Sequence, residues 1–314
     1  MYIEINRVEF VITQQCTGHC KHCSVGDKLD KRGHIEYGKL KGVLTRLSNR
    51  FHITSVMCFG GEPLLYFNEV KDIMSEAAAC GIGKRQLITN GFFTNNKEKL
   101  TAVVTALEEA KVDDILLSVD AFHQETIPWE SVYEFARRVK EGNQISIRLH
   151  PAWVVNQEHD NPYNNRTKQI LSRFDDLKLI VSRGNDIFPA GNALENLAEY
   201  FPEPELDLAY RCGDAPYSTR LDQVDSISIE PNGNVTVCCF PIGNIYEEDI
   251  DTIIDRYNPY EIQIMKRLLE EGVNGLVDYA SGHGIEVDLT KFHSPCGVCR
   301  YIVDNLLSKQ DSCE

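Results

Sequence analysis

The chain has 314 residues, 42% of them hydrophobic and 25% charged, which is enough to bury a full core in one large domain or a large domain plus a small one. That balance excludes a disordered or fibrous chain, and a formal net charge of −15 argues against nucleic acid as partner, because neutralising phosphates needs clustered Lys and Arg. Eleven cysteines, with neither a secretory amino-terminal segment nor a membrane span, point to a cytoplasmic, reducing setting where thiols ligate metal rather than pair.

From the amino terminus onward, short apolar runs alternate with segments of helical apolar spacing, the pattern of βα units on a parallel sheet. Strands are expected at residues 8–13, 53–59, 85–89, 115–119, 145–149 and 177–181. Each precedes a candidate helix. In the clearest, Leu100, Val103, Val104 and Leu107 share a face, and Val132, Phe135, Ala136 and Val139 repeat that spacing. Six such units predict an α/β fold, an open partial (β/α)6 TIM-like barrel. Chemistry in parallel barrels sits at the carboxyl ends of the strands, and the polar motifs fall there.

After the first strand comes Cys16-Thr17-Gly18-His19-Cys20-Lys21-His22-Cys23. Three thiolates at this spacing can hold three irons of a four-iron cluster, leaving the fourth open to bind a small molecule and pass it an electron. A zinc site with His19 or His22 as an added ligand is the plainer alternative. Gly60-Gly61-Glu62-Pro63 follows the second strand; its glycines permit close backbone approach and its carboxylate can receive an ammonium group, although an ordinary turn reads similarly. Thr89-Asn90-Gly91 follows the third strand. Ser118 and Asp120 follow the fourth, with a hydroxyl and a carboxylate suited to ribose. Arg148, at the end of the fifth, can meet a carboxylate bidentately or form a plain ion pair.

The carboxy-terminal third carries Cys212, the adjacent Cys238 and Cys239, and Cys296-Gly297-Val298-Cys299. Pro231 to Asn234, between two alternating runs, reads as a hairpin turn that brings Cys238 to the end of a short strand. Four of these thiols can close a site, as a zinc ribbon also does. Cys239 is then left over, either a small buried hydrophobe or a hydrogen-atom donor. Cys58 and Cys80 read as packing, and Cys313 as part of a tail. Helical spacing over residues 260–271 predicts a helix that packs this region onto the barrel.

In this order, CTGHCKHC, GGEP, TNG and SVD resemble the radical S-adenosylmethionine (SAM) superfamily over most of residues 8–191. The resemblance implies a [4Fe-4S] cluster on Cys16, Cys20 and Cys23, with SAM chelated at the open iron and cleaved by one electron to a 5′-deoxyadenosyl radical. It implies His22 against adenine, Gly60, Gly61 and Glu62 at the methionine amine, Asn90, Ser118 and Asp120 at the ribose or neighbouring groups, and Arg148 at the carboxylate. The loop around Gly191 resembles the one after the sixth strand in such enzymes, with Asn192 standing where Arg is frequent. The later cysteines resemble a twitch or SPASM-like extension with a second, auxiliary [4Fe-4S] cluster on Cys212, Cys238, Cys296 and Cys299. This divides the chain into a barrel at 1–205 and an extension at 206–314.

The Cys238-Cys239 pair, the late C-x2-C and the Asp120-x-x-His123 stretch are similar to those of radical peptide epimerases. That similarity implies hydrogen abstraction from the Cα of a peptide or small-protein substrate, with Cys239 returning a hydrogen atom, and an electron donor such as flavodoxin or ferredoxin. A crosslinking or oxidising maturase, with the auxiliary cluster as electron acceptor, is the alternative within enzymes. A non-catalytic iron–sulfur or zinc-binding protein is the remote reading.

Overall fold

A computed structural model describes residues 2–26, 33–202, 206–213 and 219–311, so the expectation for Cys313 lies outside the described residues. In β1 (Ile3–Val11), period-2 alternation buries Val8 and Phe10 on one face and turns Arg7 and Glu9 to the other. Then come α1 (Tyr37–Leu40), α2 (Val43–Arg50), β2 (Ser55–Phe59), α3 (Phe67–Ala79), β3 (Lys84–Thr89), α4 (Lys97–Glu109), β4 (Asp114–Leu117), α5 (Trp129–Gly142) and β5 (Ser146–Leu149). The next elements are β6 (Ala152–Trp153), α6 (Pro162–Leu171), β7 (Ile180–Val181), β8 (Asn185–Asp186) and α7 (Asn192–Leu197). The carboxy-terminal part adds β9 (Val224–Ile229), β10 (Asn234–Val237), β11 (Phe240–Asn244), α8 (Ile250–Arg256), α9 (Gln263–Gly282) and α10 (Pro295–Asp311).

β1, β2, β3, β4, β5 and β7 lie side by side and parallel, the six barrel strands expected. The apolar faces read in sequence bury as expected: Val103 and Leu107 of α4 and Val132, Phe135, Ala136 and Val139 of α5 have no exposed surface. The sixth barrel strand is shorter than its apolar run, because residues through Leu177 form a 3-10 turn first. Its two residues, Ile180 and Val181, stand exposed at the sheet edge.

The carboxy-terminal hairpin joins the barrel sheet. β9 runs parallel beside β1, with Phe10 opposite Ile229, and β10 and β11 follow antiparallel. All of these strands form one nine-stranded sheet, in the order β11-β10-β9-β1-β2-β3-β4-β5-β7. Val224, Ile227 and Ile229 bury at this seam, and Gly233, at φ 87°, closes the turn. Among the described residues, no helix is long and apolar enough to cross a membrane.

The helix expected at residues 260–271 is α9, and it breaks at Gly272 (φ 72°, ψ −159°). At the break, Val273 N–H donates to Tyr210 O (3.1 Å) and Asn274 N–H to Leu208 O (2.9 Å), which pins the segment leading to Cys212. A Cβ at Gly272 would sit 2.7 Å from Ala209 O. Gly272→Ala should therefore cost about 1–3 kcal/mol of stability and speed amide exchange at Val273 and Asn274. An unchanged melting midpoint with unchanged exchange would show that the break is not what holds this segment.

Candidate active site

Backbone hydrogen bonds fix the entry to the cysteine loop. Ile12 N–H donates to Phe59 O (2.8 Å), Gly61 N–H to Thr13 O (2.7 Å) and Glu62 N–H to Gln15 O (2.7 Å). Gly60, at φ 145°, and Gly61 lie so close that an added Cβ would stand 2.3 Å from Thr13 O and 2.1 Å from Gln15 O respectively. No residue with a side chain fits either position. From the other side, Asn192 N–H donates to Cys23 O (3.0 Å) and its Nδ2 to Cys20 O (3.4 Å). The asparagine at the position where an arginine is frequent thus clamps the loop.

Glu62 has no exposed surface. Its Oε1 accepts from Leu64 N–H (2.9 Å) and the Thr89 hydroxyl (2.7 Å), and its Oε2 from Asn90 N–H (2.8 Å). Burial pushes its carboxyl up to about 7, against these hydrogen bonds, which pull it down. The carboxylate braces the second loop against the third and is not among the residues that line the cavity. Gly60 and Gly61 do line the cavity.

Asp120 is likewise fully buried. Its Oδ1 accepts from the N–H groups of Phe122 (3.0 Å) and His123 (2.9 Å), and its Oδ2 meets His123 Nδ1 (2.8 Å) and Ala152 N–H (3.0 Å). Burial would raise this carboxyl, but the charge and hydrogen bond of His123 outweigh it and hold the group well below the usual carboxylate range. Both oxygens are engaged by the protein, which orients His123, and Asp120 lies among the residues that line the cavity.

Arg148 does not reach the cavity. It forks onto Asp114 at the start of β4, with Nε to Oδ1 at 3.1 Å and Nη2 to Oδ2 at 2.5 Å, the plain ion pair that was the other expectation for it. The pair continues through Gln86, Arg7 and Glu9 to Ser228, a polar ladder across the strands. Strand alternation explains the displacement: two residues further along, on the same face, His150 takes the place at the cavity wall. His150 Nδ1 lies 2.8 Å from Ser182 Oγ. The period-2 pattern past Arg148 was the available signal for it.

What remains is a cavity of about 960 Å³ at the carboxyl ends of the strands, lined in part by Cys16, Cys20, Cys23, Asn90 and Ser118. Asn90 Nδ2 donates to Thr17 Oγ1 (3.1 Å) and lies 3.6 Å from Cys16 Sγ, which also receives Gly18 N–H (3.4 Å). His22 packs 4.9 Å from the rings of Phe122 and His123, with its Nδ1 buried and unpartnered. Burial lowers its pKa to about 4, so the ring is neutral. Burial also raises the thiols of Cys16 and Cys20, so loading with metal must displace their protons. Three thiols, amide N–H groups aimed at a sulfur and an orphaned ring nitrogen suit an iron–sulfur cluster.

The later cysteines converge as expected. Cys212, Cys238, Cys239, Cys296 and Cys299 all line an adjoining cavity of about 1230 Å³. Cys239 Sγ lies 3.7 Å from Cys299 Sγ, and the Tyr210 hydroxyl 3.9 Å from Cys296 Sγ. A hydrogen bond from Cys212 holds the Cys238 thiol well below its ordinary value. Tyr210, Cys238 and Cys296 form wall common to both cavities, whereas Cys239 opens to the second alone. Tyr210 had no signal in the sequence beyond its nearness to Cys212.

Residues 10–150 match the family model described as the Radical SAM superfamily. The barrel resembles that superfamily over these residues. The GTP 3′,8-cyclase of Moorella thermoacetica is 28% identical over 124 residues, 39% of this chain and 36% of that protein. The chain therefore matches little more than a third of that relative's length. Streptococcus suis SuiB bound to precursor peptide SuiA has a similar fold, at 12% identity and a TM-score of 0.52, covering 81% of this chain and 65% of that one. SuiB bound to S-adenosylmethionine gives 14% and 0.50 over 81% and 66%.

The brace reading of Glu62 has its own signature in the barrel. In Glu62→Gln the new amide NH2 would face Asn90 N–H, donor against donor, which should cost about 1–3 kcal/mol in thermal unfolding. Undiminished stability together with lost SAM binding would restore the direct contact.

Proposed function

We propose that this chain is a radical SAM enzyme that abstracts a hydrogen atom from a peptide Cα and returns one from a cysteine, inverting the residue. The observation that carries the reading is the wall shared by the two cavities, where Cys238 and Cys296 border the cavity of the first cysteine set and belong to the five-thiol group. Cys239, the hydrogen source in this reading, opens to the second cavity, which adjoins the first through that wall. A [4Fe-4S] cluster with bound SAM supplies the 5′-deoxyadenosyl radical by one-electron reductive cleavage. Cys16, Cys20 and Cys23 hold that cluster, Asn90 and Gly18 direct N–H groups at Cys16, Gly60 and Gly61 keep the wall open to the methionine moiety, and His22 lies beside the adenine position.

The deoxyadenosyl radical, were SAM bound and cleaved in the first cavity, would take the Cα hydrogen and leave as 5′-deoxyadenosine. Cys239 then breaks its S–H bond to quench the carbon radical from the other face. One electron and one proton restore the thiol. In this reading Cys212, Cys238, Cys296 and Cys299 would hold an auxiliary [4Fe-4S] cluster, which would supply electron relay from a flavodoxin or ferredoxin beside Cys239, 3.7 Å from Cys299. The fold shared with a peptide-bound relative is in keeping with a peptide substrate.

The test is an anaerobic reaction of reconstituted protein with SAM, dithionite and a candidate peptide in heavy water. A gain of one mass unit at one residue, lost in Cys239→Ala while 5′-deoxyadenosine persists and auxiliary iron is kept, is the expected result. A loss of two units would favour crosslinking or oxidation instead, and turnover of GTP in place of peptide would overturn the substrate class. Deuterium lost in Cys238→Ala with its auxiliary iron intact would exchange the roles of the two cysteines.

A further inference from the structure

Cys20, His22 and His123 form a separate constellation inside the first cavity. One ligand atom from each lies within 4.8 Å of the other two. His123 is held for a purpose that the hydrogen-transfer reading does not use: its Nδ1 meets Asp120 Oδ2 at 2.8 Å, and Ala152 N–H fixes the same oxygen at 3.0 Å. A buried carboxylate on one ring nitrogen leaves the other to point outward, the arrangement that stands behind metal-ligating histidines. His22 adds a second imidazole whose buried Nδ1 has no partner, packed 4.9 Å from the His123 ring.

One thiolate and two imidazoles make a borderline-soft donor set. Zn²⁺ takes such ligands at about 2.0–2.3 Å in a tetrahedron, whose edges are then roughly 3.3–3.8 Å, so the three atoms need to close by only about 1 Å. Iron in a cuboidal cluster takes thiolates and has no need of His123. We propose that the cluster-free protein holds one Zn²⁺ on Cys20, His22 and His123, with the fourth position open. The ion and the SAM-binding cluster exclude each other, since both require Cys20. Zn²⁺ enters as the Cys20 thiol, and the His123 ring where it is protonated, give up their protons to solvent, with no change of oxidation state. This inference goes beyond the hydrogen-transfer reading and does not depend on the substrate.

The test titrates the full, cluster-free chain with Co²⁺ as a spectroscopic substitute and then with Zn²⁺ in competition. The wild type should bind one equivalent beyond those held by the carboxy-terminal thiols, with tetrahedral d–d bands and a thiolate charge-transfer band. His22→Ala and His123→Ala should each weaken that equivalent at least tenfold, and Asp120→Asn by about 10- to 100-fold. His123→Gln keeps a hydrogen bond for Asp120 while removing the imidazole, so its loss of Co²⁺ would not reflect misfolding. Cys16→Ser should keep the equivalent. Preloading one Zn²⁺ should lower iron uptake by the first cysteine set, and a chelator should restore it. Equal Co²⁺ stoichiometry and spectra in the wild type and His123→Gln would overturn the proposal, as would loss of the same equivalent in Cys16→Ser.

Discussion

The approach of two glycines to the chain between β1 and the first cysteines is the constraint on which the rest of the site depends. Gly60 and Gly61 leave no space for a Cβ against Thr13 and Gln15, and their neighbourhood supplies the backbone hydrogen bonds that carry the loop across the top of β2. A loop of this length would otherwise pay conformational entropy each time three thiols had to meet one metal centre. Fixing its entry on β2 and its exit on Asn192 leaves little of that freedom to lose on loading.

The buried acids have a common logic. A carboxylate in a water-poor site must be paired or fully hydrogen-bonded, and Glu62, Asp120 and Asp114 each satisfy that requirement within the protein. Glu62 joins the second loop to the third, Asp120 ties the fourth loop to the segment after β5, and Asp114 anchors the ladder that ends in Arg148. Among the histidines at the cavity wall, His22 and His150 are driven toward the neutral form by burial, while His123 is held toward the charged form by Asp120, against its burial.

Much of this was legible in the residues. The parallel strands followed from apolar runs spaced by amphipathic helices, and the gathering of Cys16, Cys20 and Cys23 with GGEP, TNG and SVD at one end followed from their places after successive strands. What the sequence concealed was the destination of long side chains. Arg148 sits at a strand end by count, yet its guanidinium reaches back to Asp114. Glu62 looks like a ligand by type, yet three donors from neighbouring loops consume it. A motif fixes where a backbone goes, whereas its partners come from residues tens of positions away. The fusion of the hairpin to β1 was hidden for the same reason, because alternation in β9 announces a strand without naming its neighbour.

The most direct measurement is release of 5′-deoxyadenosine from SAM by anaerobically reconstituted protein under dithionite, compared among the wild type and Cys16→Ala, Cys20→Ala and Cys23→Ala. Product from the wild type and its loss in each variant, with the carboxy-terminal iron retained, is what the placement of the three thiols predicts. No product from wild-type protein carrying its full iron content, or undiminished product in Cys20→Ala, would contradict it.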